Sequence, residues 1–259
     1  LVGSAAGTAT TTGAYNSALG RNALGSNTTG ASNVAVGRNT MFTNTTASNN
    51  TAVGDSALYA NTTGANNVSV GANALQSNTT GNRNTALGVD ALNDVTTASY
   101  NTAIGTYAGQ NITTGATNTA VGDAALASTT TASDNTAVGQ GSLNANITGA
   151  SNTAVGRNAL TTNTTGQQNT ASGFESLKAN TTGQNNISTG FQSLLSNTTG
   201  NDNCAVGVQA LRDNTTAGNN TGIGAFALRV NTTGASNVAI GAAALDANTT
   251  GAENTAIGR

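Results

Sequence analysis

Small and apolar residues recur along this chain in one fixed rhythm. A glycine, most often preceded by an aliphatic residue, stands at Gly20, Gly37, Gly54, Gly71 and Gly88. It continues at the same interval of 17 residues to Gly258. A repeat of this kind decides the architecture before any local reading. Counted from its leading Asn, the unit reads N-T-A-V-G-x-x-A-L-x-x-N-T-T-G-x-x. The Asn at position one runs from Asn16 to Asn254 without exception, through Asn33, Asn50, Asn67, Asn84 and Asn101. The Gly at position five and the second Thr at position fourteen (Thr29, Thr46, Thr63 and onward) are equally constant. Positions three and eight are small, and position nine is mostly Leu, as in Leu24, Leu58 and Leu75.

Polar variation is confined just as strictly. Every charged residue and every aromatic falls at position six, seven, ten, eleven, sixteen or seventeen. Three variable dyads therefore face solvent. The pattern predicts that positions one to five, eight to nine and twelve to fifteen are shielded. Position four would then supply core side chains, Val36 with Met41 and Val53 with Leu58.

A 17-residue period without insertion means that each unit stacks on the next as one coil of a solenoid. Two glycines per unit and the Asn-Thr-Thr-Gly segment oppose helix. Two helices with their loops would also need about 30 residues per unit. The predicted fold is all-β, a parallel β-solenoid of about fifteen coils filling residues 1–259 as one uninterrupted repeat region. Equivalent residues would stack about 4.8 Å apart. The invariant Asn, as at Asn33, Asn50, Asn67, Asn84 and Asn101, then reads as an amide ladder. Thr29, Thr46 and Thr63 read as a second, hydroxyl ladder. Gly at position five either takes a positive φ at a corner or admits a neighbouring backbone. With about two sizeable apolar side chains per coil the core is thin, which favours a homo-oligomer, three-fold symmetry being the first expectation. The repeat starts and stops in mid-unit, so a segment of a longer protein is expected.

Composition removes most chemistry. The 259 residues include no His, Pro or Trp, one Cys, 8 basic and 10 acidic side chains. Without His the commonest general base and metal ligand is missing. No catalytic residues, metal ligands or cofactor are expected, and the chain reads as non-enzymatic. So few basic residues give no footprint for nucleic acid. No apolar run approaches the roughly 18 residues of a membrane span, so membrane insertion is not expected.

Departures from the repeat supply the candidate residues. Ser172 and Thr189 replace the aliphatic at position four, and Phe174 and Phe191 follow two residues on. The rings read as covering what the aliphatics leave open, the alternative being an exposed pair that binds something. Gly109 loses the Leu of position nine while Ile112 replaces the nearby Asn. Cys204 at position two reads as a small buried apolar residue. Asn-x-Thr recurs at Asn27, Asn44, Asn61, Asn78, Asn163, Asn180, Asn197, Asn214, Asn231 and Asn248, an acceptor pattern for N-glycosylation in a secretory setting. It is equally a by-product of a turn followed by stacked Thr.

Units such as Asn152-Thr-Ala-Val-Gly156 followed by Asn158-Ala-Leu160 resemble the repeats of trimeric bacteriophage tail fibres and of trimeric autotransporter-type adhesin heads. The period of 17 departs from the 14 residues of the autotransporter heads. The resemblance implies a trimer of parallel β-solenoids exposed outside a cell or on a virion. The leading expectation is a structural and adhesive fibre segment, a stiff rod that presents a binding surface to a host cell or another surface. Its first partner is itself, with a cell-surface glycan or another receptor as the second. If the shaft binds sugar, Tyr59, Tyr107, Phe174, Phe191 and Phe226 are the candidate contacts. The alternatives are a self-assembling, N-glycosylated extracellular filament or coat, and an ice-binding protein using stacked Thr rows.

Overall fold

The computed structural model describes residues 2–259, among which there is no helix. The chain forms fifteen strands of three residues, each covering positions two to four of a repeat. It divides into two compact units, one ending at Ser133 and one running Asp134–Arg259. In the first unit β1 (Ser17–Leu19) to β7 (Thr119–Val121) lie side by side in chain order; in the second, β8 (Thr136–Val138) to β15 (Thr255–Ile257) do the same. Pairing within each unit is parallel and in register from one repeat to the next, as in Ala35↔Ala52 and Val36↔Val53 or Cys204↔Thr221 and Val206↔Ile223. Each unit is a parallel β-solenoid with one 17-residue coil per strand.

The corner after each strand is a run of overlapping turns. In the coil that opens at Asn16, the Ala23 N–H reaches the Gly20 carbonyl at 3.3 Å, Gly25 reaches Asn22 at 3.1 Å, and Asn27 reaches Leu24 at 3.2 Å. Asn22 and Leu24 carry φ of 59° and 51°. A positive φ at the third place marks the first two turns as type II. Position nine is left-handed in coil after coil, at Leu58, Leu75, Leu92, Leu160 and Leu211 among others. That is a rare conformation for a branched residue. It persists because the N–H of each such Leu pairs with the next coil, as Leu58 does with the Ala74 carbonyl at 2.9 Å, and its side chain fills the core.

Strand alternation decides what faces in. Position three is buried and positions two and four look outward, the exposed–buried–exposed pattern of Ser17–Leu19 and Thr153–Val155. The interior consists of Ala at positions three and eight and one large side chain at position nine, such as Leu58, Leu92 and Leu160. This corrects the expected core. Val53 does not join Leu58 inside; it is 37% exposed on the outer face while Leu58 is fully buried. Val36 is likewise an outward residue of its strand, whereas Met41 is fully buried. A coil this narrow holds one branched side chain, so the aliphatic at position four is excluded from it.

Two polar rows close the interior. At position one, Asn50 ties three coils together. Its Nδ2 donates to the Gly64 carbonyl at 2.9 Å, its Oδ1 accepts the Asn67 backbone N–H at 2.9 Å, and its own N–H donates to Asn33 Oδ1 at 3.0 Å. Asn67 and Asn84 repeat this pattern, and Asn101 donates to Gly115 in the same way. At position twelve, Asn61 Nδ2 donates to Asn44 Oδ1 at 2.9 Å and to the Gly64 carbonyl at 2.9 Å. The hydroxyl row lies one residue before the expected one. Thr28, Thr62 and Thr79 donate their hydroxyls to the carbonyl of the equivalent residue one coil on. Thr29, Thr46 and Thr63 face solvent instead.

The second polar row stops at Val95, Ile112 and Thr129, which take the place of Asn and are buried. Val95 offers no donor, so Asn78 Oδ1 is left buried without a partner. Ile112 fills the volume vacated at Gly109: a Cβ built on Gly109 would lie 3.0 Å from Ile112 Cδ1. The two exchanges share one space. Gly109→Leu alone should overpack and Ile112→Asn alone should leave a hole, each costing about 1–3 kcal/mol. The double variant restores the consensus pair and should lose less than either single. Urea unfolding of the four chains measures the coupling; additive losses would show that the sites share no volume.

Candidate interaction surfaces

The outer face of the sheet is the largest apolar feature of either unit. Position four places Leu19, Val53, Leu87 and Ile104 on it in the first unit and Val155, Val206, Ile223 and Ile240 in the second. Position two adds Val34 and Val68, and then Ile187. These side chains are 37–51% exposed although strand aliphatics are ordinarily covered. An aliphatic row continued over this many coils exceeds the scattered apolar residues of an ordinary monomer surface. No charged residue occupies position two or four anywhere in the repeat. The charges flank this face, for instance at Arg38 and Asp55, whose guanidinium and carboxylate meet at 2.8 Å across one coil step. That hydrogen bond holds the Asp55 carboxyl below the usual carboxylate range.

The outer face is interrupted once in the second unit. At Ser172 and Thr189 position four becomes a hydroxyl, Ser172 half-buried and Thr189 exposed. Both point away from the core, so Phe174 and Phe191 compensate for nothing inside. The rings stack on each other at 5.5 Å with planes 10° apart, and the Arg157 guanidinium lies 5.9 Å above Phe174. Beside them Gln209 donates to Gln192, Gln192 donates to Glu175, and Lys178 pairs with Glu175 at 2.7 Å. The Lys178 and Gln192 hydrogen bonds hold the Glu175 carboxyl low. The interior of the same coils is polar as well. The buried hydroxyls of Ser176, Ser188 and Ser193 replace Ala and satisfy one another, Ser176 to Ser188 at 2.7 Å and Ser188 to Ser193 at 2.6 Å.

The five candidate sugar contacts do not form one site. Phe174 and Phe191 stand together; Tyr59, Tyr107 and Phe226 lie on other coils. Tyr59 stacks on Phe42 at 5.7 Å, and Arg229 sits 5.4 Å from the Phe226 ring centre. A ring stacked on a neighbour has one of its two faces already covered. Tyr107, 44% exposed, has no ring or guanidinium against it among the described residues, and Leu87, Val89 and Ile104 are exposed on its own and the preceding coil.

The asparagines of the Asn-x-Thr pattern lie in the coil interior. Asn27, Asn44, Asn61, Asn78, Asn163, Asn180, Asn197, Asn214 and Asn231 are completely buried. Their Nδ2 groups, the atoms a glycan would need, donate inside the coil, as Asn163 does to Asn146 Oδ1 and the Gly166 carbonyl. Asn248 is partly exposed, but its Nδ2 is engaged in the same way. Cys204 also departs from expectation. It lies half-buried on the outer face, at position two of its strand, with its thiol pKa raised by burial.

Among the described residues no cavity opens between coils and no group of three metal-binding side chains assembles. No helix is long and apolar enough to cross a membrane. A scan against protein-family models and a search of curated proteins found no match.

Proposed function

We propose that this chain is a structural segment of an extracellular or virion-borne fibre, built to associate with further copies of itself and to carry the variable side chains as an adhesive surface. The observation that carries this reading is the charge-free outer face of the sheet, with its aliphatic row at position four. Identical copies that meet face to face bring each row against its own kind. A charge there would meet its like, and none occurs. Covering the face also offsets the thin interior, since roughly 25 cal/mol is gained per Å² of apolar surface removed from water. A three-fold assembly is the first arrangement to test. The outward dyads, with Tyr107 as an exposed ring free of stacking partners, supply multivalent weak contacts to a surface glycan or other receptor.

Light scattering after size exclusion tests the assembly. The expected mass is a multiple of the 25.1 kDa chain, three-fold in the first instance. Val53→Lys with Val155→Lys should reduce it to one chain without altering the circular dichroism spectrum. The single thiol adds a second readout. Cys204 should react with a maleimide several-fold more slowly in the wild type than in the double Lys variant. A wild-type monomer whose thiol reacts as fast as the variant's would sink the self-association.

A further inference from the structure

Seventeen-residue coils that are nearly alike create a difficulty for self-association. Two uniform faces could slip by any number of coils and still cover each other. Register in a periodic seam is fixed by an interruption, usually a polar residue in an apolar row, which costs stability in every mismatched alignment. The second unit has one such interruption. Along its outer face position four is aliphatic at Val138 and Val155 and again from Val206 onward. Between them the coil of β10 (Thr170–Ser172) presents Thr170 and Ser172, an all-hydroxyl row. The coil of β11 (Ile187–Thr189) is inverted, with Ile187, 48% exposed, at position two and Thr189 at position four.

We infer that Ser172 and Thr189 are a register key, and that copies of the chain associate through this face in parallel, coil against the same coil. The inference rests on the self-association proposed above. Its occupant is a second copy, because a face without charge repels no copy of itself and only an object with the same 17-residue coil matches row after row. In the unslipped alignment Ser172 meets Ser172 and Thr189 meets Thr189, so hydroxyls find hydroxyls and every aliphatic row meets an aliphatic row. A slip of one coil sets Val155 against Ser172 and Thr189 against Val206. A slip of two coils mismatches four rows. Each mismatch buries a hydroxyl against a side chain that cannot bond it. One antiparallel alignment also pairs the hydroxyls, Ser172 on Thr189, with Val155 opposite Val206. Within this unit it leaves the Ile240 and Ile257 rows without partners, which disfavours it against the parallel one.

Charge rescue on the full chain separates these alignments. Val206→Lys alone should weaken self-association at least about tenfold, because the like charges of the copies meet. Mixing V206K with V206E chains should restore it. Mixing V206K with I240E, two coils away, or with V155E should not. When both chains also carry Ser172→Val and Thr189→Val, the key is gone and I240E should rescue as well as V206E does. All these positions face outward, and circular dichroism melts check each fold; the pair I223K and I223E repeats the test should V206K or V206E not fold. Rescue by V155E alone would establish the antiparallel alignment and overturn the inference. Equal rescue by V206E and I240E in the unmodified background would show that no register exists. Rescue still confined to V206E after both hydroxyls are replaced would show that the key lies elsewhere. A wild-type chain that does not associate at all would instead remove the underlying reading.

Discussion

Gly71→Ala is expected to be the most damaging single-methyl change in the first unit. Two independent costs meet at this atom. Gly71 has φ of +135°, a region open only to glycine, and a residue held in such a region costs of order 1–3 kcal/mol. A Cβ there would also sit 2.3 Å from the carbonyl oxygen and 2.6 Å from the carbonyl carbon of Gly88 in the next coil. Both atoms belong to the backbone that stacks coil on coil, so relief requires the coils themselves to shift. The loss should exceed about 3 kcal/mol, a fall in Tm of roughly 6–12 °C for a chain of this size. In a stack whose stability is a sum over neighbouring coils, the damage should be local. Hydrogen exchange should show lost protection in the coils of Gly71 and Gly88 and little change three coils away. Gly64→Ala is the control. A Cβ at Gly64 would also lie 2.4 Å from a backbone carbonyl oxygen, that of Gly81, but position fifteen has no positive φ, and Ala47, Ala98, Ala132 and Ala217 already occupy it in other coils. Its loss should be less than half that of Gly71→Ala. Equal losses would mean that the positive φ is not what confines position five to glycine.

The same glycine shows what was legible in the sequence. An invariant Gly every 17 residues announced either a positive φ at a coil corner or a close backbone approach, and Gly71 has both. Invariant Asn announced inward amides, and the Asn50 side chain is buried with both its amide nitrogen and its amide oxygen bonded. Facing was harder to read. In Thr51-Ala52-Val53 the largest side chain was expected inside, yet Ala52 is the buried one. Hydrophobicity alone cannot tell a core row from a row awaiting a partner; the alternation of the strand and the width of the coil decide it. Thr28 and Thr29 are chemically identical, so no composition rule could say which hydroxyl reaches the next coil. The left-handed Leu at position nine carries no local signal at all, since Leu avoids that conformation and adopts it only because the core on one side and the next coil on the other hold it there. The outer face was missed for the same reason that Val53 was misplaced. Its marker was present nonetheless: positions two and four never carry a charge.

Asn50→Asp should produce a stability that depends on pH in a way the wild type does not. The side chain keeps its shape and its acceptor for the Asn67 N–H. It loses the Nδ2–H that satisfies the Gly64 carbonyl, and sets a carboxylate oxygen beside that carbonyl oxygen. No cation lies in the buried row to pair with it, and charged residues are absent from position one throughout. Burial and the facing carbonyl disfavour the ionised form, so the folded-state pKa of the introduced carboxyl is raised above its unfolded value of about 3.9. The folded state then holds a proton that the unfolded state releases, and stability falls as pH rises between those two values. Below about pH 3.9 the carboxyl is protonated in both states. Its O–H then donates to the Gly64 carbonyl in place of the amide, and the variant should lie within about 1–2 kcal/mol of wild type. The deficit should open as pH rises through the window and level off above the folded pKa, where an unpaired buried charge costs several kcal/mol. Asn50→Ala should be destabilised by a similar amount at every pH, because it orphans the Gly64 carbonyl and the Asn67 N–H whatever the protonation state. Thermal melts of the three chains from pH 3 to pH 8 make the comparison. An Asp variant whose deficit tracks that of the Ala variant across the whole range would mean that water reaches the carboxyl, and that the amide row at Asn50 is not sealed.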